Sequence, residues 1–119
     1  MKRNKELISI VLPTLNEKES IGLIINHLLD LSNIHELEII VVDDNSKDGT
    51  SDLIRKLSKK DNRIRLISRI GRNGLSSAIK EGCISSTGEI IVIMDTDGQH
   101  DVNDITKALN ALQKEDKDV

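Results

Sequence analysis

Two aspartates one residue apart, Asp95 and Asp97, stand at the end of an apolar run, with Gly98 and Gln99 just beyond. The run, Ile90 to Met94, predicts a strand over Glu89–Met94 that is buried on both faces. Carboxylates at a strand's carboxyl end are hard oxygen ligands suited to a divalent cation, and α/β folds hold their ligands at that end. An isolated Asp-x-Asp is ordinarily a solvated acidic turn. It gains chemistry only if other elements bring partners to it.

A second strand does this. Leu37–Val42 is rich in β-branched residues and runs into Asp43, Asp44, Asn45 and Ser46. Its phase matches that of the later run, so Asp44 and Asp95 occupy equivalent strand-exit positions. The loop after Pro13 adds Asn16 and Glu17 at the same end. Carboxylates gathered without partners repel and raise one another's pKa. A divalent cation, or the N–H and O–H donors of a nucleoside, would relieve that repulsion.

The elements that must position these acids alternate along the chain. Leu7–Leu12 is a strand that Pro13 closes, since proline donates no hydrogen bond to a ladder. Ile21, Ile24, Ile25, Leu28 and Leu29 repeat at helical spacing, with Asn16 as the expected N-cap and Glu17 and Glu19 near the positive end of the dipole. Leu53, Ile54 and Leu57 mark a short helix capped by Thr50. Ile64–Ser68 is a third strand, nearer the sheet edge. Leu75, Ala78, Ile79, Gly82 and Cys83 share one face of a third helix, where Gly82 permits close packing on the sheet and Thr87-Gly88 ends the element. A fourth helix, capped by Asp101, carries Ile105, Ala108, Leu109 and Leu112. Asp118-Val119 reads as the start of another strand. Strand and helix thus alternate four times, which calls for a parallel sheet with right-handed crossovers and helices on both faces.

Composition narrows the function. The 119 residues suit one domain, and 37% hydrophobic with 31% charged residues is a globular balance. There is no Phe, Tyr or Trp, so the core is aliphatic and no aromatic platform exists to stack a base or sugar. A net charge of −3 gives no general attraction to nucleic acid. The single cysteine, Cys83, excludes an internal disulfide and reads as a small buried hydrophobe. His100 reads as a solvated loop residue, and His27 and His35 as structural or exposed. No run reaches the length of a membrane span. The chain is therefore expected to be cytoplasmic.

Four motifs in order carry a resemblance: Pro13-Thr-Leu-Asn-Glu17; Val41-Val-Asp-Asp-Asn-Ser46 with Asp48-Gly49; Gly71-Arg-Asn-Gly74; and Asp95-Thr-Asp97 with Gln99. Together they resemble the family 2 glycosyltransferases, and most of all the dolichol-phosphate mannose synthase branch, from about Leu7 to Val119. The resemblance implies a GT-A fold with strand order 3-2-1-4 in this part of the sheet. The chain then reverses direction between strands 1 and 4, which opens a crevice between Pro13–Glu17 and Asp95–Gln99.

It further implies that Pro13, Thr14 and Glu17 line the nucleoside pocket, and that Val42 and Asp44 contact the base. Thr96 falls near the ribose. Asp95 and Asp97 match the metal-binding pair, with Gln99 helping to hold Mg²⁺ or Mn²⁺, and Asp97 is the residue on which catalysis would chiefly depend. Apart from the resemblance, Arg72 reads either as a ligand of a nucleotide phosphate or as a solvated cation, while Asn73 and Gly74 shape the turn. Leu15 stands where many relatives carry an aromatic, so contact with the base would be aliphatic.

The implied chemistry is metal-assisted transfer of a sugar from a GDP- or UDP-sugar, with a polyprenyl phosphate as acceptor. Such an acceptor would be met at the cytoplasmic face of a membrane. Residues 1–119 are expected to form one nucleotide-sugar-binding domain that lacks the family's acceptor-side region, supplied by a partner chain or by self-assembly if at all. Two other readings stay open at this level. One is a non-catalytic nucleotide-sugar or metal-binding module, or an inactive fragment that works only with a partner chain. The other is a doubly wound phosphoacceptor domain built on Asp43-Asp44, although that pair follows the second strand rather than the first.

Overall fold

The computed structural model describes residues 6–33, 35–96 and 107. Strand β1 (Leu7–Thr14) leads to helix α1 (Lys18–Asp30) and a 3-10 turn at Leu31–Asn33. Strand β2 (Glu36–Asp43), helix α2 (Thr50–Lys60), strand β3 (Ile64–Ser68), helix α3 (Leu75–Ser85) and strand β4 (Ile90–Ile93) follow. The sheet order is β3-β2-β1-β4, and every pairing is parallel. This is the predicted 3-2-1-4 arrangement. The fourth helix and the final strand start lie outside the described residues, apart from Lys107, which is helical.

The handedness of the crossovers assigns the faces. The chain steps from β1 to β2 to β3 in one direction, so α1 and α2 lie on one face. From β3 it returns past β1 to β4, and a right-handed crossover in that direction puts α3 on the other face. The period of two along each strand serves both layers. Ile8, Ile10, Leu12, Leu37, Ile39 and Val41 pack with Ile21, Ile25 and Leu28 of α1 and Ile54 of α2. Val11, Ile40 and Val42 pack with Ala78 of α3. Without aromatic rings, aliphatic side chains and Met94 fill the core of the described residues.

Several local expectations change. Pro13 does not close β1 but sits within it, in register with Val42. Val11 turns its carbonyl toward Met94 N–H, so the alternate residue Pro13 directs its missing N–H to the same side, beyond the end of β4. Asn16 does not cap α1. It adopts a left-handed φ of 52°, and Glu17 holds the cap position. Gly49, at φ 91°, precedes α2 in place of Thr50. Asp48 supplies the acceptor there: its Oδ1 takes the Thr50 N–H at 3.1 Å and the Thr50 hydroxyl. Helix α3 stops at Ser85, before Thr87-Gly88.

Strand β4 is not buried on both faces: Ile91 and Ile93 remain 42% and 47% exposed. Helix α3 packs against β1 and β2, leaving that face of β4 uncovered among the described residues. His35 is fully buried, with no hydrogen-bond partner for either ring nitrogen among the described residues. Cys83 is half-buried with a free thiol.

Candidate functional site

Because the strands are parallel, β1, β2 and β4 all end at one edge of the sheet. A cleft of about 530 Å³ opens there. Pro13, Thr14, Leu15 and Glu17 line it from the end of β1, and Asp95 and Thr96 from the exit of β4. Asp44 enters from β2, and Asn73, Gly74, Leu75 and Ala78 form the wall at the start of α3. It lies where strand order reverses, between β1 and β4, the position that open α/β sheets use for ligands.

The rim is laced together by hydrogen bonds. Thr96 Oγ1 donates to the Pro13 carbonyl at 3.1 Å, and Ser20 Oγ donates to the Thr96 carbonyl at 2.8 Å. The exit of β4 is thereby tied both to β1 and to the first turn of α1. Ser20→Ala should cost about 1 kcal/mol, the usual net worth of one such bond. Urea denaturation checks the loss, and hydrogen exchange of amides near the β4 exit should quicken with it.

The loops after β1 and β2 interlock as well. Asn16 N–H donates to Ser46 Oγ at 2.8 Å, and Asn16 Oδ1 accepts from Lys47 N–H at 2.7 Å. Lys18 N–H donates to Asp48 Oδ2 at 3.1 Å. Beneath the loop, the fully buried Asp43 accepts from Ser46 N–H at 3.0 Å, from the Ser46 hydroxyl, and from Ser51 Oγ at 3.1 Å. The adjacent aspartates therefore divide their work. Asp43 organises the loop from below, and Asp44 faces the cleft.

Asp44 is held on two sides. Gly74 N–H donates to its Oδ2 at 3.1 Å, and Arg69 Nε lies 2.7 Å from its Oδ1. Arg69 is 0% exposed, and its Nη1 is also 3.1 Å from Glu81 Oε2. Arg72 forms a two-pronged pair with Glu81, both bonds at 3.0 Å. This hydrogen bonding holds the Glu81 carboxyl below its usual range despite partial desolvation, with the charges of Arg72 and Arg69 adding to it.

Of the residues singled out from the sequence, Pro13, Thr14, Glu17, Asp44, Asp95 and Thr96 meet in the cleft. Two do not. Val42 is fully buried among Val11, Ile40 and Ala78, because its parity along β2 turns it under α3. Arg72 is engaged by Glu81 on the outer surface and is not among the lining residues. Asp97, Gln99 and His100 lie outside the described residues. Arg69, Ser20 and Glu81 were not foreseen; each is a lone polar residue in a loop or first turn, or on a helix face, with no periodic signal.

The described groups that could face a cation are carboxylates and carbonyl or hydroxyl oxygens. That donor set fits Mg²⁺ or Mn²⁺, which bind through one or two carboxylates and fill the rest of the shell with phosphate oxygens and water. Among the described residues no three His, Cys, Asp or Glu side chains converge into a closed cage.

The sequence profile of glycosyl transferase family 2 matches residues 9–119. This chain belongs to that family. Among its relatives, the dolichol-phosphate mannosyltransferase of Pyrococcus furiosus is 34% identical over 106 residues, spanning 89% of this chain and 30% of that protein. The human dolichyl-phosphate beta-glucosyltransferase is 34% identical over 118 residues, spanning 89% of this chain and 36% of the relative. This family 2 chain thus spans about a third of their length. A mannosyltransferase from Pyrobaculum calidifontis, solved with GDP-Man and Mn²⁺, superposes with a TM-score of 0.69 at 28% identity, covering 79% of this chain and 28% of that one. Glucosyl-3-phosphoglycerate synthase from Mycobacterium tuberculosis, solved with Mn²⁺, UDP and phosphoglyceric acid, superposes at 0.62 with 30% identity, covering 77% and 33%. The described part of the chain has their GT-A architecture, and family membership displaces the phosphoacceptor reading of Asp43-Asp44.

Proposed function

We propose that this chain is the donor-binding part of a glycosyltransferase that moves a sugar from a GDP- or UDP-sugar to a polyprenyl phosphate. The observation that carries the reading is the convergence of Pro13, Thr14, Glu17, Asp44, Asp95 and Thr96 on one cleft at the strand reversal. Relatives named for dolichyl phosphate and neighbours solved with nucleotides and Mn²⁺ support it.

In this reading Asp44 accepts a hydrogen bond from a ring N–H of the base, and Pro13 and Leu15 offer aliphatic surface to its face. Thr14 and Thr96 border the ribose. Asp95, with Asp97 and Gln99, holds a divalent cation. When bound, that ion supplies neutralisation of the diphosphate that leaves. A phosphate acceptor is already an anion at neutral pH, so no side chain is required to deprotonate it, unlike a hydroxyl acceptor. Glu17 is therefore assigned to binding rather than to general-base work. The reaction belongs at the cytoplasmic face of a membrane, where a lipid phosphate and a soluble nucleotide-sugar meet.

Calorimetry with UDP and GDP, with and without Mn²⁺, tests the assignment. One of the two should bind, and Mn²⁺ should tighten it by about tenfold or more, equivalent to about 1.4 kcal/mol. Asp95→Ala and Asp97→Ala should each abolish the gain from the metal. Binding that ignores Mn²⁺ would overturn the cation assignment, and a folded chain that binds neither nucleotide would overturn the donor-site reading.

A further inference from the structure

We propose that Arg69, braced by Glu81, is the positioning residue that fixes the Asp44 carboxylate as an acceptor for the nucleobase; this rests on the donor-site reading of Asp44. A guanidinium seldom lies fully buried unless paired. Arg69 is 0% exposed and does not line the cleft. Its three nitrogens instead address three different side chains: Nε to Asp44 Oδ1 at 2.7 Å, Nη1 to Glu81 Oε2 at 3.1 Å, and Nη2 to Ser77 Oγ at 2.8 Å. Its own N–H donates to the Asp43 carbonyl at 2.8 Å. One residue thus joins the exit of β2 to two successive turns of α3.

The consequence falls on Asp44. Its Oδ1 is closed off from solvent and paired with the guanidinium by charge at 2.7 Å, without an aligned hydrogen bond, and its Oδ2 accepts the Gly74 N–H. An ionised carboxylate is acceptor-only, and Oδ2 retains a lone pair for a second donor. Fixed in this position at the cleft wall, it favours a base whose edge presents a ring N–H, as uracil and guanine do. Adenine and cytosine present a bare ring nitrogen at that position, and two acceptors would then face each other. Glu81 matters because it supplies the second anion: with Asp44 alone, one face of the buried cation would lack a counter-charge.

The geometry separates this role from simple support of the fold. Arg69→Met should weaken binding of UDP or GDP, whichever the wild type prefers, by about tenfold, and should shrink its advantage over CDP and ADP. Asp44→Asn should do the same. In the Asp44→Asn background, Arg69→Met should cost nothing further, because its effect is exerted through that carboxylate. Glu81→Gln, a change at a partly exposed side chain outside the cleft, should weaken the preferred nucleotide by about threefold, again only while Asp44 is present.

If Asp44→Asn weakens binding but Arg69→Met and Glu81→Gln leave affinity and base preference at wild-type values, the positioning role is overturned and the donor site stands. If Asp44→Asn itself binds as wild type, the reading of Asp44 falls and the role of Arg69 falls with it. Should Arg69→Met fail to fold, Glu81→Gln decides alone: unchanged affinity overturns the proposal.

Discussion

Gly82→Ala is expected to destabilise the protein by about 2 kcal/mol, although alanine is the better helix former by about 1 kcal/mol. The reason is contact, not backbone freedom. A β-carbon on Gly82 would lie 2.3 Å from Val11 Cγ1, 3.2 Å from Val42 Cγ2 and 3.3 Å from Val11 Cγ2. Val11 is fully buried on β1, which β2 and β4 clamp on either side, and a β-branched side chain has few rotamers to retreat into. Helix α3 must therefore lift from the sheet or Val11 must strain, and overpacking of this kind costs about 1–3 kcal/mol or more. Gly22 provides the control. It also lies in a helix interior, but a β-carbon there would meet only Leu53 Cδ2 at 3.8 Å. Gly22→Ala should therefore stabilise by roughly 0.5–1 kcal/mol. The urea midpoints should move in opposite directions at constant m. A Gly82→Ala midpoint at or above wild type would mean that α3 does not rest on Val11 as described. The cleft should feel the same change, since Asn73, Gly74, Leu75 and Ala78 ride on the start of α3.

The role of Gly82 was legible in the sequence because a glycine on the apolar face of a helix has few other uses. The strands were legible for a similar reason: Leu37–Val42 is apolar at every odd and even position alike, apart from Glu38, and only a strand covered on both faces sustains that. The crevice followed from chain order alone, through the reversal after β3. What stayed hidden depended on partners distant in sequence. Arg69 reads as a solvated cation until Asp44 and Glu81 are brought against it from β2 and α3. Val42 looks as available as Asp44 until the fold shows Val42 inside β2 beneath Ala78 of α3, with Asp44 one residue past the strand's end beside Gly74. Five consecutive apolar residues in Ile90–Met94 imply burial on both faces, yet a run without alternation says nothing about which neighbours supply the cover. Pro13 looked like a strand terminator because its missing N–H was counted without knowing which way it faced.

Glu38→Ala is expected to cost about 2 kcal/mol, and Glu38→Gln to flatten the loss of stability in acid. Glu38 sits at the end of the sheet opposite the cleft, on the α3 side. Its Oε2 accepts from Ser9 Oγ at 2.6 Å, from Thr87 N–H at 2.7 Å and from Thr87 Oγ1 at 3.0 Å, while Oε1 accepts from Arg65 Nη1 at 2.8 Å. Ser9 Oγ in turn accepts the Gly88 N–H at 2.8 Å, and Arg65 also donates to the Ser85 carbonyl at 2.9 Å. One carboxylate thus ties β1, β2, β3 and the α3–β4 connection together. Truncation to alanine strands the fully buried Ser9 hydroxyl, at about 1–3 kcal/mol, whereas Thr87 is exposed and water replaces much of what it loses. The Arg65 contact adds less, since that side chain is 40% exposed and water screens it. Burial by itself raises the Glu38 pKa, but the donors from Ser9, Thr87 and Arg65 together bring it below the ordinary 4.5. A carboxyl whose folded pKa is depressed contributes stability that is complete above the unfolded value and is lost as pH falls through the folded one. The wild type should therefore lose stability progressively below about pH 4.5, and Glu38→Gln, which has no proton to take up, should show a shallower decline over the same range. Denaturation midpoints measured from pH 6 down to pH 3 give both curves, and parallel slopes would assign the acid sensitivity to other carboxyls. Because this network lies far from the cleft, Glu38→Gln should leave nucleotide affinity unchanged wherever the protein remains folded.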